Sequence, residues 1–193
     1  MRRTTWVMCL GVLLAATAGG LCAAAGEENL LANPSFEQVN EKGVLSAWVL
    51  ARHGEGKATI ARVAGGRSQE EGNAFHAEIR IDEGLTWIYI MQVVARQMKA
   101  GEAYRYSAWL KADAPVKVDL VMYALGTSLE DAEKAANIQK RRNIELTPEW
   151  REFVLDDVVV DAKGDYGTLR PQVQVYDKNV TVLIDDAKVV QTK

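Results

Sequence analysis

The sequence predicts an all-β domain, a two-sheet antiparallel β-sandwich or jelly roll, with a short helical insertion near 128–142. Three observations carry that expectation. Short segments of strand composition recur from residue 56 to residue 190. Several of them alternate apolar and polar side chains with period two, as strands buried on one face do. Turn-forming residues fill the gaps, as at Gly65-Gly66, Glu83-Gly84, Lys99-Ala100-Gly101 and Lys163-Gly164-Asp165. Strands at this spacing without intervening helices point to a sandwich rather than to a parallel sheet.

The first segment is expected to leave the protein before it folds. Arg2 and Arg3 precede an apolar run from Val7 to Ala18, which breaks at Gly19-Gly20 and ends in Ala23-Ala24-Ala25. A basic start, an apolar stretch and a small-residue site describe a secretory signal peptide over 1–25, cleaved after Ala25. The run is short for a bilayer core of about 30 Å, so no membrane attachment is expected after cleavage. Leu21 before Cys22 is bulky where a lipid-attachment site needs a small residue. The product is expected in the periplasm or outside the cell.

Cleavage changes the charge and the cysteine inventory. The full chain of 193 residues has 23 Lys+Arg against 26 Asp+Glu, a net of −3; losing Arg2 and Arg3 leaves 21 against 26, or −5. Cys9 and Cys22 are both removed, which excludes disulfides and thiol chemistry. The residues from 26 to 193 are enough to bury about 70% of their unfolded surface as one domain. Hydrophobic residues at 48% and charged residues at 25% exclude disordered, collagen-like and multi-span classes. The acidic balance gives no footprint for nucleic acid.

The strands are expected at 56–64, 73–81, 87–94, 103–112, 116–125, 151–160, 169–176 and 180–190. In 116–123, Val116, Val118, Leu120 and Met122 take one face while Lys117, Asp119, Val121 and Tyr123 take the other. In 169–176, Leu169, Pro171, Val173 and Val175 oppose Arg170, Gln172, Gln174 and Tyr176. The exception is 128–142, where Ser128 and Asp131 read as a helix start with an acidic first turn. With no linker and no repeat, one domain is expected over 26–193.

Catalytic signals are weak. The only histidines are His53 and His76, and His76 lies on the polar parity of an expected strand. No G-x-S-x-G elbow, phosphate loop, dinucleotide fingerprint or HExxH occurs. Asp156-Asp157 and Asp185-Asp186 are adjacent in strand segments, where neighbours point to opposite faces and do not flank one bond.

Aromatic residues say more. The outer parity of 87–91, 116–123 and 169–176, if shared by one sheet, displays Trp87, Tyr89, Asp119, Tyr123, Arg170, Gln172, Gln174 and Tyr176. Flat rings stack on sugar faces, and amides, carboxylates and guanidinium groups match a rim of hydroxyls. A half-exposed strand also shows polar side chains outward without binding anything, and tyrosine is common in strands. Both readings stand on periodicity alone.

Four blocks in order resemble the family 4/9/22 carbohydrate-binding modules. Asn29-Leu30-Leu31-Ala32-Asn33-Pro34-Ser35-Phe36-Glu37 resembles their N-L-x-x-N-x-x-F-E opening, followed by Trp48. Residues 100–112, with Gly101, Tyr104, Ser107, Trp109 and Lys111, are similar to their aG-x-x-Y-x-x-S-x-W-x-K-a strand. Leu146-Thr147-Pro148-Glu149-Trp150-Arg151-Glu152-Phe153 resembles L-T-x-x-W-x-x-F, and Ile184-Asp185-Asp186-Ala187-Lys188-Val189 resembles the closing I-D-D-x-x-V. The blocks span 29–190 and imply a galactose-binding-like β-jelly roll that binds a polysaccharide or oligosaccharide and is not an enzyme.

The resemblance implies more. It places 87–94, 116–125 and 169–176 on the concave sheet and Trp109 on the opposite one, with Trp48 and Trp150 packing as framework. It implies a structural Ca2+ held by Glu37, Asp185 and the carbonyl of Ser35, with Glu71 from the loop before the next strand. Pro34-Ser35 departs from the family's Gly-Asp pair, and Met91 to Met98 departs from its L-x-Q-x-V pattern, which predicts a bulge near Gln92. A monomer is expected, working with glycoside hydrolases in trans. The competing expectation is a scaffold β-sandwich of a cell-surface or periplasmic assembly with no glycan ligand. A small glycoside-acting enzyme is a third, and needs two carboxyl groups about 5–9.5 Å apart in the cleft.

Overall fold

The computed structural model describes residues 28–54, 58–65, 67, 75–81, 85–126, 137–163, 165–176 and 180–193. The expected signal peptide at 1–25, Glu71, and 128–136 of the expected helical insertion lie outside the described residues. Among the described residues the regular elements are all strands, in two antiparallel sheets. The first sheet runs β1 (Val49–Gly54), β4 (Leu85–Met91), β10 (Tyr166–Val175), β7 (Val116–Gly126) and β8 (Asn137–Leu146), with β5 (Val94–Ala95) also on β10. The second runs β2 (Ala58–Ala64), β3 (Phe75–Ile81), β11 (Thr181–Gln191), β6 (Ala103–Ala112) and β9 (Arg151–Val159).

Period two becomes a core between these sheets. Ile88 and Ile90, Leu120 and Met122, Val173 and Val175 face inward from the first sheet, fully buried; Tyr104, Leu110, Val182 and Ile184 meet them from the second. Burying apolar surface at roughly 25 cal/mol per Å² is the main stabilising term for a chain without cross-links. β4, β10 and β7 are neighbours in one sheet, so the opposite parity of all three faces outward together.

Two expected features differ. Residues 137–142, expected in a helix, instead form the first part of β8, paired with β7 from Val116↔Leu146 to Leu125↔Asn137. Gln, Lys and Arg favour helix when isolated, but a full antiparallel ladder overrides propensity. The aliphatic stems of Lys140 and Arg142 then reach across to β9, where Lys140 Nζ donates to the Asp157 carbonyl (2.9 Å) and Arg142 Nη1 to the Val154 carbonyl (2.6 Å).

The bulge expected near Gln92 is absent, because Met91↔Gln172 and Val94↔Leu169 keep one continuous register. The strand is interrupted for another reason. Gln92 N donates to the Pro171 carbonyl at 3.4 Å, and Pro171 has no N–H to return the bond. β4 therefore ends at Met91 and pairing resumes at β5. The Gln92 side chain, 4% exposed, turns inward to the opening segment: its Nε2 donates to the Ala32 carbonyl and its Oε1 accepts from Ala32 N, each at 2.8 Å.

That opening segment is tied to the last strand by protein hydrogen bonds. Leu30 N donates to the Val189 carbonyl (2.8 Å), Ala187 N to the Pro34 carbonyl (2.9 Å), and Asn29 bridges Ala187 and Val189 with its side-chain amide. Phe36 and Trp48 pack ring to ring at 4.8 Å in the core, and Trp48 Nε1 donates to the Asn33 carbonyl. Trp48 is thus the framework residue expected. Trp150 is half-buried beneath the Lys111 ammonium, 4.9 Å from its ring.

Candidate functional site

The outward faces of β4, β10 and β7 form a cleft of about 270 Å³. Trp87 and Tyr89 make one wall, Tyr123 and Leu125 the other, and Arg170, Gln172 and Gln174 the floor. The registers Gln174↔Tyr89 and Arg170↔Tyr123 place floor and walls on neighbouring strands. Trp87 and Tyr89 lie two residues apart on one strand, hence on the same face, with ring centroids 5.0 Å apart and planes inclined by 24°. The two rings stack face to face and so form one paired aromatic wall.

The floor amides are held in a chain. Gln174 Nε2 donates to Gln172 Oε1 (2.7 Å), and Gln172 Nε2 lies 3.8 Å from Met91 Sδ. The Tyr176 hydroxyl stands 2.8 Å from Gln174 Oε1 and 2.9 Å from Asp119 Oδ2, two acceptors for its one proton. Burial, then the Asp119 hydrogen bond, holds that hydroxyl above its ordinary range, so it stays a donor at neutral pH. Asp119 also accepts from Asn143 Nδ2 (3.0 Å) and Arg141 Nη1 (3.1 Å).

The residues singled out in the sequence therefore divide. Trp87, Tyr89, Tyr123, Arg170, Gln172 and Gln174 line the cleft. Asp119, only 5% exposed, lies outside the lining, across from Gln174, as the anchor of Tyr176, Arg141 and Asn143, and Tyr176, 40% exposed, stands beside the cleft. Sequence reasoning misses Arg141 and Asn143 because it reads 137–142 as helix. The signal is present: Ile138, Ile144 and Leu146 share one parity, with Gln139, Arg141, Asn143 and Glu145 on the other. Among the described residues lining the cleft there is no carboxylate.

The residues implied for calcium lie elsewhere. Asp185 is fully buried, and its oxygens accept main-chain N–H groups from Arg67 (2.7 Å) and Asp186 (2.8 Å). Burial pushes its carboxyl up to about 6, against the pull of these donors. A register shift between Asp185 and Lys188, with Asp186 at φ 44, turns both carboxylates toward Arg67 rather than to opposite faces. The Arg67 guanidinium pairs with Asp186 and lies 4.0 Å over the Trp109 ring, on the second sheet as expected. Ser35 and Glu37 are half-buried, and the Glu37 carbonyl accepts from Arg62 Nη1 at 2.7 Å. Calcium takes six to eight oxygens. Among the described residues no group of three or more His, Cys, Asp or Glu side chains converges; Glu71, the fourth implied ligand, lies outside them.

No protein-family model and no curated protein matches the chain by sequence. Solved structures do match its shape. A family 4 carbohydrate-binding module superposes at TM-score 0.59 and 21% identity, covering 83% of this chain and 99% of that one. A family 61 module, solved in complex with β-1,4-galactotriose, gives TM-score 0.54 at 21% identity over 85% of this chain and 99% of that one. These likenesses show the fold, a two-sheet β-jelly roll shared with carbohydrate-binding modules. The same jelly roll matches the enzymatically active domain of tailspike protein 4 of bacteriophage CBA120, with TM-score 0.63 and 14% identity, over 84% of this chain. The chain spans about a fifth of that tailspike structure, 21%. In this jelly roll the cleft occupies the outward face of the first sheet, across β4, β10 and β7.

Proposed function

We propose that the protein is an exported, non-catalytic carbohydrate-binding module that holds a polysaccharide segment in the cleft of its first sheet, as a monomer. The observation that carries this reading is the stacked Trp87–Tyr89 pair beside a polar floor in one cleft. A pyranose ring offers a C–H face to stack on such rings and equatorial hydroxyls to exchange bonds with amides. Gln172 and Gln174 are 5% and 3% exposed and already bonded to each other, so their free valences are pre-set rather than ordered on binding. The absence of a carboxylate from the described lining supports binding over hydrolysis, which needs a pair of them. The family 61 module of the same fold was solved with a bound galactan oligosaccharide, which supports a glycan as ligand class. Cooperation with glycoside hydrolases supplied in trans belongs to the same reading.

The test is affinity electrophoresis of the purified protein through gels containing β-glucan, xylan, mannan, galactan and acidic polysaccharides. Retardation by at least one polymer is the expected result. A folded protein retarded by none of them would overturn the reading and leave a scaffold role for the jelly roll.

A further inference from the structure

Arginines in this chain are mostly anchored. Arg141 pairs with Asp119, Arg67 with Asp186, Arg142 donates to the Val154 carbonyl, Arg62 to the Glu37 carbonyl, and Arg96 to Tyr104 and Gln191. Arg170 differs. It sits on the cleft floor opposite Tyr123, half-buried, and its Nε is buried with no hydrogen-bond partner. Among the described residues no carboxylate pairs with it. Asp119, on the same face of the sheet, is paired with Arg141 and is outside the cleft lining.

An under-compensated guanidinium at a partly desolvated site is an incomplete interaction. A buried donor without a partner and a cation without a counter-charge both cost stability. The chain carries a net −3 overall, yet the described lining of this cleft contains one cation and no anion. Electrostatic complementarity then selects an anionic ligand at that point. The planar guanidinium fork matches a carboxylate better than it matches a neutral hydroxyl rim.

We propose that the ligand of the cleft is an acidic polysaccharide, with a uronic-acid ring packed against the Trp87–Tyr89 ring pair and its carboxylate bound by Arg170. This inference rests on the carbohydrate-binding reading above and narrows it to one class of sugar. Uronate rings combine the two chemistries the cleft offers, an apolar ring face and a planar carboxylate.

The experiment compares a uronan with its own methyl ester, which keeps the backbone and removes the charge. The probes are polygalacturonate and alginate, each beside its methyl-esterified form, in affinity gels containing EDTA, with dextran sulfate as a second polyanion. At least one acid form is expected to bind about tenfold more tightly than its ester, the discrimination a charge-assisted pair confers. Arg170→Gln should remove most of that preference and Arg170→Lys should restore part of it, with unchanged near-ultraviolet circular dichroism as the check on folding. Equal retardation by acid and ester, an undiminished preference in Arg170→Gln, or dextran sulfate binding as tightly as the uronan would overturn the assignment. Retardation by neutral polymers alone would overturn it and leave the cleft reading standing. Retardation by none of the polymers, acidic or neutral, would overturn the cleft reading itself.

Discussion

Gln92 and Ala32 hold each other by a reciprocal pair of hydrogen bonds, each 2.8 Å, between a side-chain amide and a main-chain peptide. The pair exists because Pro171 breaks the ladder at Gln92, and it fastens the opening segment to the first sheet. Replacing Gln92 by Ala removes both bonds at a peptide whose residue, Ala32, is exposed, so water takes up part of the loss. A loss of about 1 kcal/mol is expected, read as a lower urea midpoint at constant slope. Unchanged stability would show that water replaces the amide at no cost.

Trp87→Ala and Tyr123→Ala remove opposite walls of the cleft from half-buried positions outside the core. Each should weaken glycan binding by about tenfold, near 1.4 kcal/mol, with little change in the thermal melt. Calorimetry with the polymer retained in gels measures the first and a melt the second. Intact binding in both variants would remove the cleft from the binding mechanism.

Asp185 predicts a pH dependence of stability. Its folded carboxyl titrates near 6, above the ordinary carboxylate value of 3.8, chiefly because burial disfavours the charge. Between those values the folded state binds more protons than the unfolded one, so stability falls as pH rises from about 4 to about 6.5 and is flat above. A shift of about two units corresponds to roughly 3 kcal/mol at most. Glu102 is held below its ordinary range by the Lys99 N–H and then Tyr104, so its stabilisation is present at higher pH and lost only as pH drops through the acid carboxylate range. The window from about 4.5 to 6.5 lies above the Glu102 transition, and comparison with Asp185→Asn picks out the part that belongs to Asp185. Urea melts in EDTA across it should show the decline, and Asp185→Asn should flatten it.

The same residue tests the metal implied by the family resemblance. The resemblance puts Ca2+ on Asp185 and Glu37, and Asp185 already accepts two main-chain N–H groups. EDTA is accordingly expected to lower the melting temperature at pH 7 by several degrees, and an unchanged melt with no calcium by elemental analysis would remove the metal. A rise of several degrees with Ca2+, abolished in Asp185→Asn, would put a calcium ion on Asp185.

The strands that shape the cleft are legible in the sequence because their alternation is clean. Leu169, Pro171, Val173 and Val175 against Arg170, Gln172 and Gln174 is enough by itself to fix which side chains share a face. The common sheet of β4, β10 and β7 needs the family resemblance, since pairing order is non-local and leaves no mark in a single strand. β8 escapes because Lys140, Arg141 and Arg142 mask its alternation: Lys140 and Arg142 occupy the parity of Ile138 and Ile144, and donate to β9 carbonyls instead of packing. Asp119 is recognisable as polar and outward, but its conversion from ligand contact to anchor depends on Arg141 and Asn143 in that masked strand.

Pro171 has a consequence for how reliably the cleft is assembled. A strand in the middle of a sheet can in principle slide two residues along its neighbours and keep its apolar face inward. Here sliding would carry the residue that lacks an N–H away from the interruption at Gln92 and set it against a rung that needs a donor. Proline thus acts as a key that fits one notch only. It excludes the slipped pairings in which Arg170 and Gln174 would face the wrong rings, and so the spacing between cation and aromatic pair is set by a buried residue outside the cleft lining.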